Sequence, residues 1–347
     1  MSLLVVRDFA AWMAQGQGVI CRDGALALAA GQAVGTWVSM PMTAAASFRQ
    51  AVCSWNAQVP AGVVEVALQV ADTTGAWGAW HVMGLWHGAG YAGRPRGTSV
   101  PGNDDGWGRV ATDTLQLSRP AIALRLRVTL TGEKNAPAAV VRLLACSTDA
   151  RPSARLSQDC MPQPQPVPAP LDVPAYSQKS HGEAGKGWCS PTSLAMVLAW
   201  HGTTLPVPEV AQAVHDPCYG GTGNWSCNVA YAGDLGYTAH VVHLHAPEEL
   251  SWLLGQGLPV IVSISHGPGE LPGAPVEQTR GHLLVVCGLD PSTGIVVVND
   301  PAGEPGAVRR HYPIDAFLRA WLGHGGVAYV VAPAPGPAMP WQAACRS

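Results

Sequence analysis

The chain has 347 residues, 48% of them hydrophobic and only 12% charged, which excludes a disordered polyelectrolyte and leaves room for two cores. A formal net charge of −3 with no basic block excludes electrostatic recruitment by nucleic acid or an anionic membrane. No apolar run of about 18 residues occurs, so no membrane span is expected.

The first eight residues, MSLLVVRD, reach charge too early for the apolar region of a signal peptide. Read literally, this places the protein in the cytoplasm. A precursor cleaved upstream, or a start placed too far downstream, would put it outside the cytoplasm. From there to residue 150 the pattern is β-like and punctuated by turns. The run VVEVALQV (63–70) alternates imperfectly. In 121–131, Ile122, Leu124, Leu126 and Val128 fall on one face and Arg125 and Arg127 on the other, the pattern of a half-solvated strand. VVRLLAC (140–146) reads as another strand. With no amphipathic helix between 31 and 149, residues 1–150 are expected to form an all-β, sandwich-like domain.

Residues 151–170 are rich in Pro, Gln and Ser and read as an extended linker, because repeated proline removes donors and blocks helix. Beyond it the character changes. Pro191 suits a first turn and Ser190 a cap, so a helix is predicted over 191–200, with Leu194, Val197 and Leu198 as its apolar stripe. Further helices are expected at 207–214, 228–235, 247–254 and 314–321. Apolar runs at 259–265, 281–289, 294–300 and 326–331 read as strands, giving an α+β layout for 171–332. Residues 333–347 resemble the linker and are expected to trail away.

The nine cysteines contain no CxxC pair, which argues against a zinc ribbon or thioredoxin-type site. Cys218 and Cys227 could clip a glycine-rich loop in an oxidising compartment; most of the others read as small buried apolar side chains. Cys189 differs from them. It directly precedes the helix beginning near Pro191, where unpaired N–H groups and the helix dipole favour a thiolate. Downstream, His282 opens one strand and Asp300 closes the strand that returns after the turn at 290–294. If Leu289 pairs with Ile295, Asp300 lies opposite Leu284 and becomes the diagonal neighbour of His282 on the same face. A one-residue slip would separate them. Cys189, His282 and Asp300 then fill the roles of nucleophile, base and orienter. Gln178 adds a neutral amide suited to an oxyanion hole beside the Cys189 N–H.

The motifs LDVPAYSQ (171–178), GWCSPTSLAMVLAWHG (187–202), GHLLVVCGLD (281–290) and VNDPAG (298–303) together resemble the soluble relatives of cysteine peptidase family 39. That family is typified by the domain that trims double-glycine leader peptides at bacteriocin exporters. The resemblance covers roughly 171–332, with Gln, Cys, His and Asp in the family's order. It implies a papain-like α+β cysteine peptidase fold, with Gln178 as oxyanion donor, Cys189 as nucleophile, His282 as base and Asp300 as orienter. It implies a peptide or peptide-like substrate and no cofactor. The segment 220–237 also resembles the soluble relatives, without a chemical role attached. Unlike the exporters, the chain carries no membrane region and no Gly-x-x-x-x-Gly-Lys ATPase motif, so leader trimming is not expected.

Other signals weigh less. Trp37, Trp55, Trp77, Trp80, Trp86 and Trp107 could stack on sugars, a possible carbohydrate or cell-wall contact for the N-terminal domain, but packing explains them better. Residues 103–106 read as a turn before a calcium site. His240, His243 and His245 lack a completing ligand for zinc. The expectation is acyl transfer to Cys189, with a cell-wall amidase or transpeptidase, or a catalytically idle binding protein, as alternatives.

Overall fold

A computed structural model describes residues 3–89, 94–133, 136–150 and 169–340. The described residues of the N-terminal part hold the strands β1 (Leu3–Val6), β2 (Met13–Gln17), β3 (Val19–Arg22), β4 (Ala25–Leu28), β5 (Val34–Ser39), β6 (Met42–Gln58), β7 (Val63–Asp72), β8 (His81–His87), β9 (Gly97–Thr98), β10 (Gly108–Ala111), β11 (Thr114–Thr131) and β12 (Val140–Thr148). They form one antiparallel hydrogen-bonded network of twelve strands rather than two separate sheets. Two long strands cause this. The start of β11 pairs with β6 (Thr114 with Val52), whereas its later part runs between β7 and β5 (Arg127 with Ala67 and with Val38). The register breaks between Gln116 and Ala123, where β11 changes neighbours. The network thus turns back on itself around a shared core. Leu124, Leu126, Val128 and Leu130 are buried in it, while Arg125 and Arg127 face outward; Ile122, at the break, is only half-buried.

Four of the six tryptophans named above are core. Trp37, Trp55 and Trp86 are fully enclosed and Trp107 nearly so. Trp77 and Trp80 lie on the outer face under guanidinium groups, with Arg125 4.7 and 5.3 Å from their ring centres. Residues 103–106 make a turn, since Asp104 accepts from Gly106 N–H and Asp105 accepts from the N–H groups of Trp107 and Gly108.

The second half has a short 3₁₀ turn (Gln178–His181), α1 (Cys189–Trp200), α2 (Val207–Val214), α3 (Trp225–Asp234), β13 (Thr238–His243), α4 (Pro247–Gly255), β14 (Val260–His266), β15 (Thr279–Asp290), β16 (Ile295–Asn299), β17 (Arg309–Pro313), α5 (Ile314–Leu322) and β18 (Val327–Ala332). Six antiparallel strands run in the order β13-β18-β14-β15-β16-β17. Alternation along β15 sorts its side chains between two cores. Leu283, Val285 and Cys287 pack with α1 on one face; Leu284 and Val286 pack with α4 and α5 on the other. Helix α1 is buried all round from Ser190 to Leu198, rather than along a stripe, as expected of a helix at the centre of a protein.

The two halves are joined over a broad contact. Strand β13 is the sheet edge, and its outward N–H groups would lack partners. Side chains of the N-terminal half supply them. Asn56 accepts from Ala239 N–H and donates to its carbonyl, Ser54 accepts from Val241 N–H, and Ser147 accepts from His243 N–H. Both hydrophobic clusters contain residues from both halves: Trp55 and Val229 belong to one, Leu143 and Val242 to the other.

Residues 333–340 do not trail away: Met339 is buried and Arg7 Nη1 donates to the Pro335 carbonyl. The rest of the expected tail, 341–347, and linker residues 151–168 lie outside the described residues.

Candidate active site

Helix α1 starts at Cys189 itself, with Trp188 at its N-cap. Ser190 is no cap; its hydroxyl meets the Tyr329 hydroxyl at 3.1 Å inside the protein. Cys189 is half-buried at the mouth of the helix. Burial pushes its thiol up. Hydrogen bonding and charge from His282, with the N–H groups of Leu283 and Ser190, more than reverse this and hold the thiol below its ordinary value.

The β15–β16 hairpin brings the other two groups in. Its turn is one residue tighter than expected: Asp290, not Leu289, faces Ile295. Left uncorrected, that register would set Asp300 opposite Val285. A bulge at Cys287 shifts the ladder by one, so Val286 faces Val298 and Val285 faces Asn299. The next position, Asp300, therefore falls opposite Leu284, as the sequence pattern requires. The bulge carbonyl at Cys287 accepts from Leu171 N–H at 2.8 Å, so the incoming segment clamps it.

His282 Nε2 lies 2.7 Å from Asp300 Oδ1. That contact leaves the other ring nitrogen for the thiol. Asp300 is 1% exposed, yet every lone-pair direction that matters is used: Ala302 N–H also reaches Oδ1, and the Tyr312 hydroxyl donates to Oδ2 at 2.7 Å. Burial disfavours imidazolium, but Asp300 and Cys189 together outweigh it and lift His282 to about 10. Burial likewise opposes ionisation of Asp300, and the His282 charge and its donors overcome it, holding the carboxyl below its ordinary range. The electrostatics favour a thiolate–imidazolium pair backed by a carboxylate.

Gln178 sits at the start of the 3₁₀ turn. Its Nε2 donates to the Gly185 carbonyl at 3.2 Å, and its Oε1 is buried without a partner. Gly185 has to be glycine, since a Cβ there would come within 2.0 Å of the Gln178 carbonyl. One amide hydrogen of Gln178 thus fixes the approach to Cys189, and one is left over.

Several site residues escaped the sequence reading. Tyr312 lies in RRHYP, an edge strand without clear alternation. Asp216 has no motif. It accepts from the N–H groups of Cys218, Tyr219 and Ser99 and from Asn224 Nδ2, tying the loop after α2 to the N-terminal half. Cys218 and Cys227 are free thiols, the first exposed and the second buried. His243 shares a hydrogen bond with Ser147, and His240 is enclosed in β13. Among the described residues no group of His, Cys, Asp or Glu is clustered to hold a metal, and no helix is long and apolar enough to cross a membrane.

Cys189 opens into a cleft of about 710 Å³, within the usual range of ligand sites. Trp188, Tyr219, Trp225 and Arg280 line it, and Thr112 and Asp113 reach it from the N-terminal half.

The chain resembles an uncharacterized protein of Mycobacterium tuberculosis (strain H37Rv) and one of Mycobacterium bovis, each 38% identical over 79 residues. That stretch is 21% of this chain and 33% of each relative, so the chain spans about a third of the curated relatives it matches. A crystal structure of a candidate C39-like peptidase from Bacillus anthracis aligns with 48% of this chain and 98% of its own, at 20% identity and a TM-score of 0.38. The C-terminal CBM6 of LamC, a marine laminarinase from Zobellia galactanivorans, aligns with 42% of this chain and 99% of its own, at 10% identity and a TM-score of 0.24. The assignment rests on the family models. Residues 13–148 match the Peptidase C39 N-terminal domain, and residues 170–329, which hold Cys189, His282 and Asp300, match the Peptidase_C39 like family.

Proposed function

We propose that the protein is a papain-like cysteine peptidase or amide hydrolase that works by acyl transfer to Cys189, with the peptidase domain spanning 171–332 and the β-domain spanning 1–150. The observation that carries this reading is the buried 2.7 Å His282–Asp300 bond, with Cys189 and the same imidazole each shifting the other toward its charged form. The thiolate attacks the carbonyl carbon of a peptide-like substrate. Negative charge gathers on the carbonyl oxygen, where the Cys189 N–H and the uncommitted amide hydrogen of Gln178 are the donors. His282 passes a proton to the departing amine, the C–N bond breaks, and a thioester remains on Cys189. His282 then takes a proton from water as it attacks the thioester, which releases the acid and restores the thiol. Asp300 keeps the ring oriented throughout, with Tyr312 as a positioning residue behind it.

The test is a cysteine-directed peptidyl electrophile followed by intact-mass measurement. Labelling of the wild type and not of Cys189→Ala supports the reading, and equal labelling overturns it. Screening peptides against cell-wall fragments then separates a peptidase from an amidase or transpeptidase.

A further inference from the structure

The turn between β10 and β11 consists of Thr112 and Asp113, with Ala111 and Thr114 as the closing pair. Thr112 has φ of 60°, and Asp113 is not in that region. Positive φ at only the first of two turn residues is the position where hairpins favour glycine. A β-branched side chain there is strained, because its Cβ crowds the backbone. The turn does not hang free. Asp113, 5% exposed, accepts from the N–H of Trp225 at the start of α3 and from the Thr114 hydroxyl. That anchor presses the tip into the cleft that holds Cys189, where Ala111, Thr112 and Asp113 all form part of the wall.

Another part of the wall depends on the same half of the molecule. Asp216 binds Ser99 N–H from beyond β9 and also holds the N–H groups of Cys218 and Tyr219. Tyr219 stands 50% exposed in the cleft, within electrostatic reach of both Cys189 and Asp113. Glycines 220, 221 and 223 follow it and line the cleft without side chains. A small amide would need only Cys189 and its neighbours. A wall that brings in a second domain, aromatic rings and a run of glycines suits an extended peptide.

We propose that Thr112, carried on this turn, is a specificity-determining residue of the Cys189 site and contacts an extended peptide substrate beside the scissile bond. The inference rests on the acyl-transfer reading above and assigns part of its substrate selection to the N-terminal domain.

The experiment uses the full chain and three probes of Cys189: iodoacetamide, a pool of peptidyl chloromethyl ketones for the acyl side, and a pool of bromoacetyl peptides for the leaving-group side. The quantity read is the ratio of each peptide rate to the iodoacetamide rate in the same variant. Thr112→Gly removes the side chain and the strain together, so the melting temperature is expected not to fall. At least one peptide ratio is expected to drop roughly tenfold, the scale of a lost pocket contact, with Thr112→Ser closer to wild type. Unchanged ratios for both pools in Thr112→Gly overturn the inference while leaving the catalytic reading intact. A wild-type Cys189 no more reactive than a free thiol overturns the catalytic reading, and this inference falls with it.

Discussion

Asn56 and Ala239 lie 183 residues apart and exchange two hydrogen bonds, the Asn56 amide donating at 2.7 Å and accepting at 3.0 Å. One side chain thereby imitates a neighbouring strand for the edge of the peptidase sheet. Both bonds are buried, so removing the amide leaves the Ala239 N–H and C=O groups without water or partner. Asn56→Ala is expected to cost about 1–3 kcal/mol for each stranded group, seen as a lower urea midpoint. Aggregation should also rise, since an uncovered edge invites pairing with another chain. A midpoint equal to wild type would show that the edge needs no cover.

Thiolate character at Cys189 comes from His282, because burial alone acts the other way. Alkylation of the wild type should therefore persist at pH 6, where a free thiol with a pKa of about 8.5 is mostly protonated. His282→Ala leaves burial dominant and should reduce the pH 6 rate by about tenfold or more, with less effect at pH 9 to 10. Rates that fall together for both proteins would argue against the ion pair.

The His282–Asp300 pair also predicts the shape of stability against pH. His282 is raised to about 10, so its contribution is complete below about 6.5 and is lost as pH rises through about 10. Asp300 is lowered, so its contribution is present above about 3.9 and is lost as pH falls through its depressed value. Melting temperature should show a plateau between these limits. Asp300→Asn breaks a buried pair and should cost about 3–5 kcal/mol on that plateau, with a larger loss of peptide hydrolysis than of folded protein.

Tyr312→Phe removes one donor from the Asp300 carboxylate without opening a cavity. The expected loss is about 1–3 kcal/mol. The acid limb of Cys189 alkylation should move to higher pH, because a carboxylate with one donor fewer is protonated more easily. A stability loss without movement of that limb would limit Tyr312 to packing.

Asp113 titrates in the opposite sense. Burial, with Asp216 nearby, raises it to about 6 against its donors. Its contribution to stability is thus fullest below about 3.9 and is lost as pH rises through about 6. Asp113→Asn keeps an oxygen for the Trp225 N–H and removes the buried charge. It should melt higher than wild type at pH 7 to 8, and the gain should vanish near pH 4.

Helices α1, α2, α4 and α5 and strands β14, β15, β16 and β18 were legible as helix-start signals and apolar runs, whereas β13 and β17 were not, being short and mixed in polarity. The start of α3 was missed by three residues, since Asn224, whose side chain caps it, sits in a glycine-rich run that reads as loop. The pairing of His282 with Asp300 was legible for a compound reason. The expected register was wrong at the turn, and the bulge at Cys287 restored it at the site. A bulge leaves no mark in alternation when the strand is apolar on both faces, as β15 is. Tyr312, Asp216 and the turn at Thr112 were illegible because their meaning comes from partners 12 to more than 100 residues away. Capping of α1 by Ser190 failed because a fully enclosed helix gives its first hydroxyl an internal partner, Tyr329.

Both hydrophobic clusters draw on both halves of the chain, and this carries a thermodynamic consequence. Two family models would ordinarily lead a calorimetrist to look for two endotherms. Here neither half can shed its apolar interior without exposing the other's, so heating should give a single cooperative peak, with calorimetric and van't Hoff enthalpies that agree. A lesion far out in the β-domain would then be felt as a change in how often the thiol end of the molecule is folded at all.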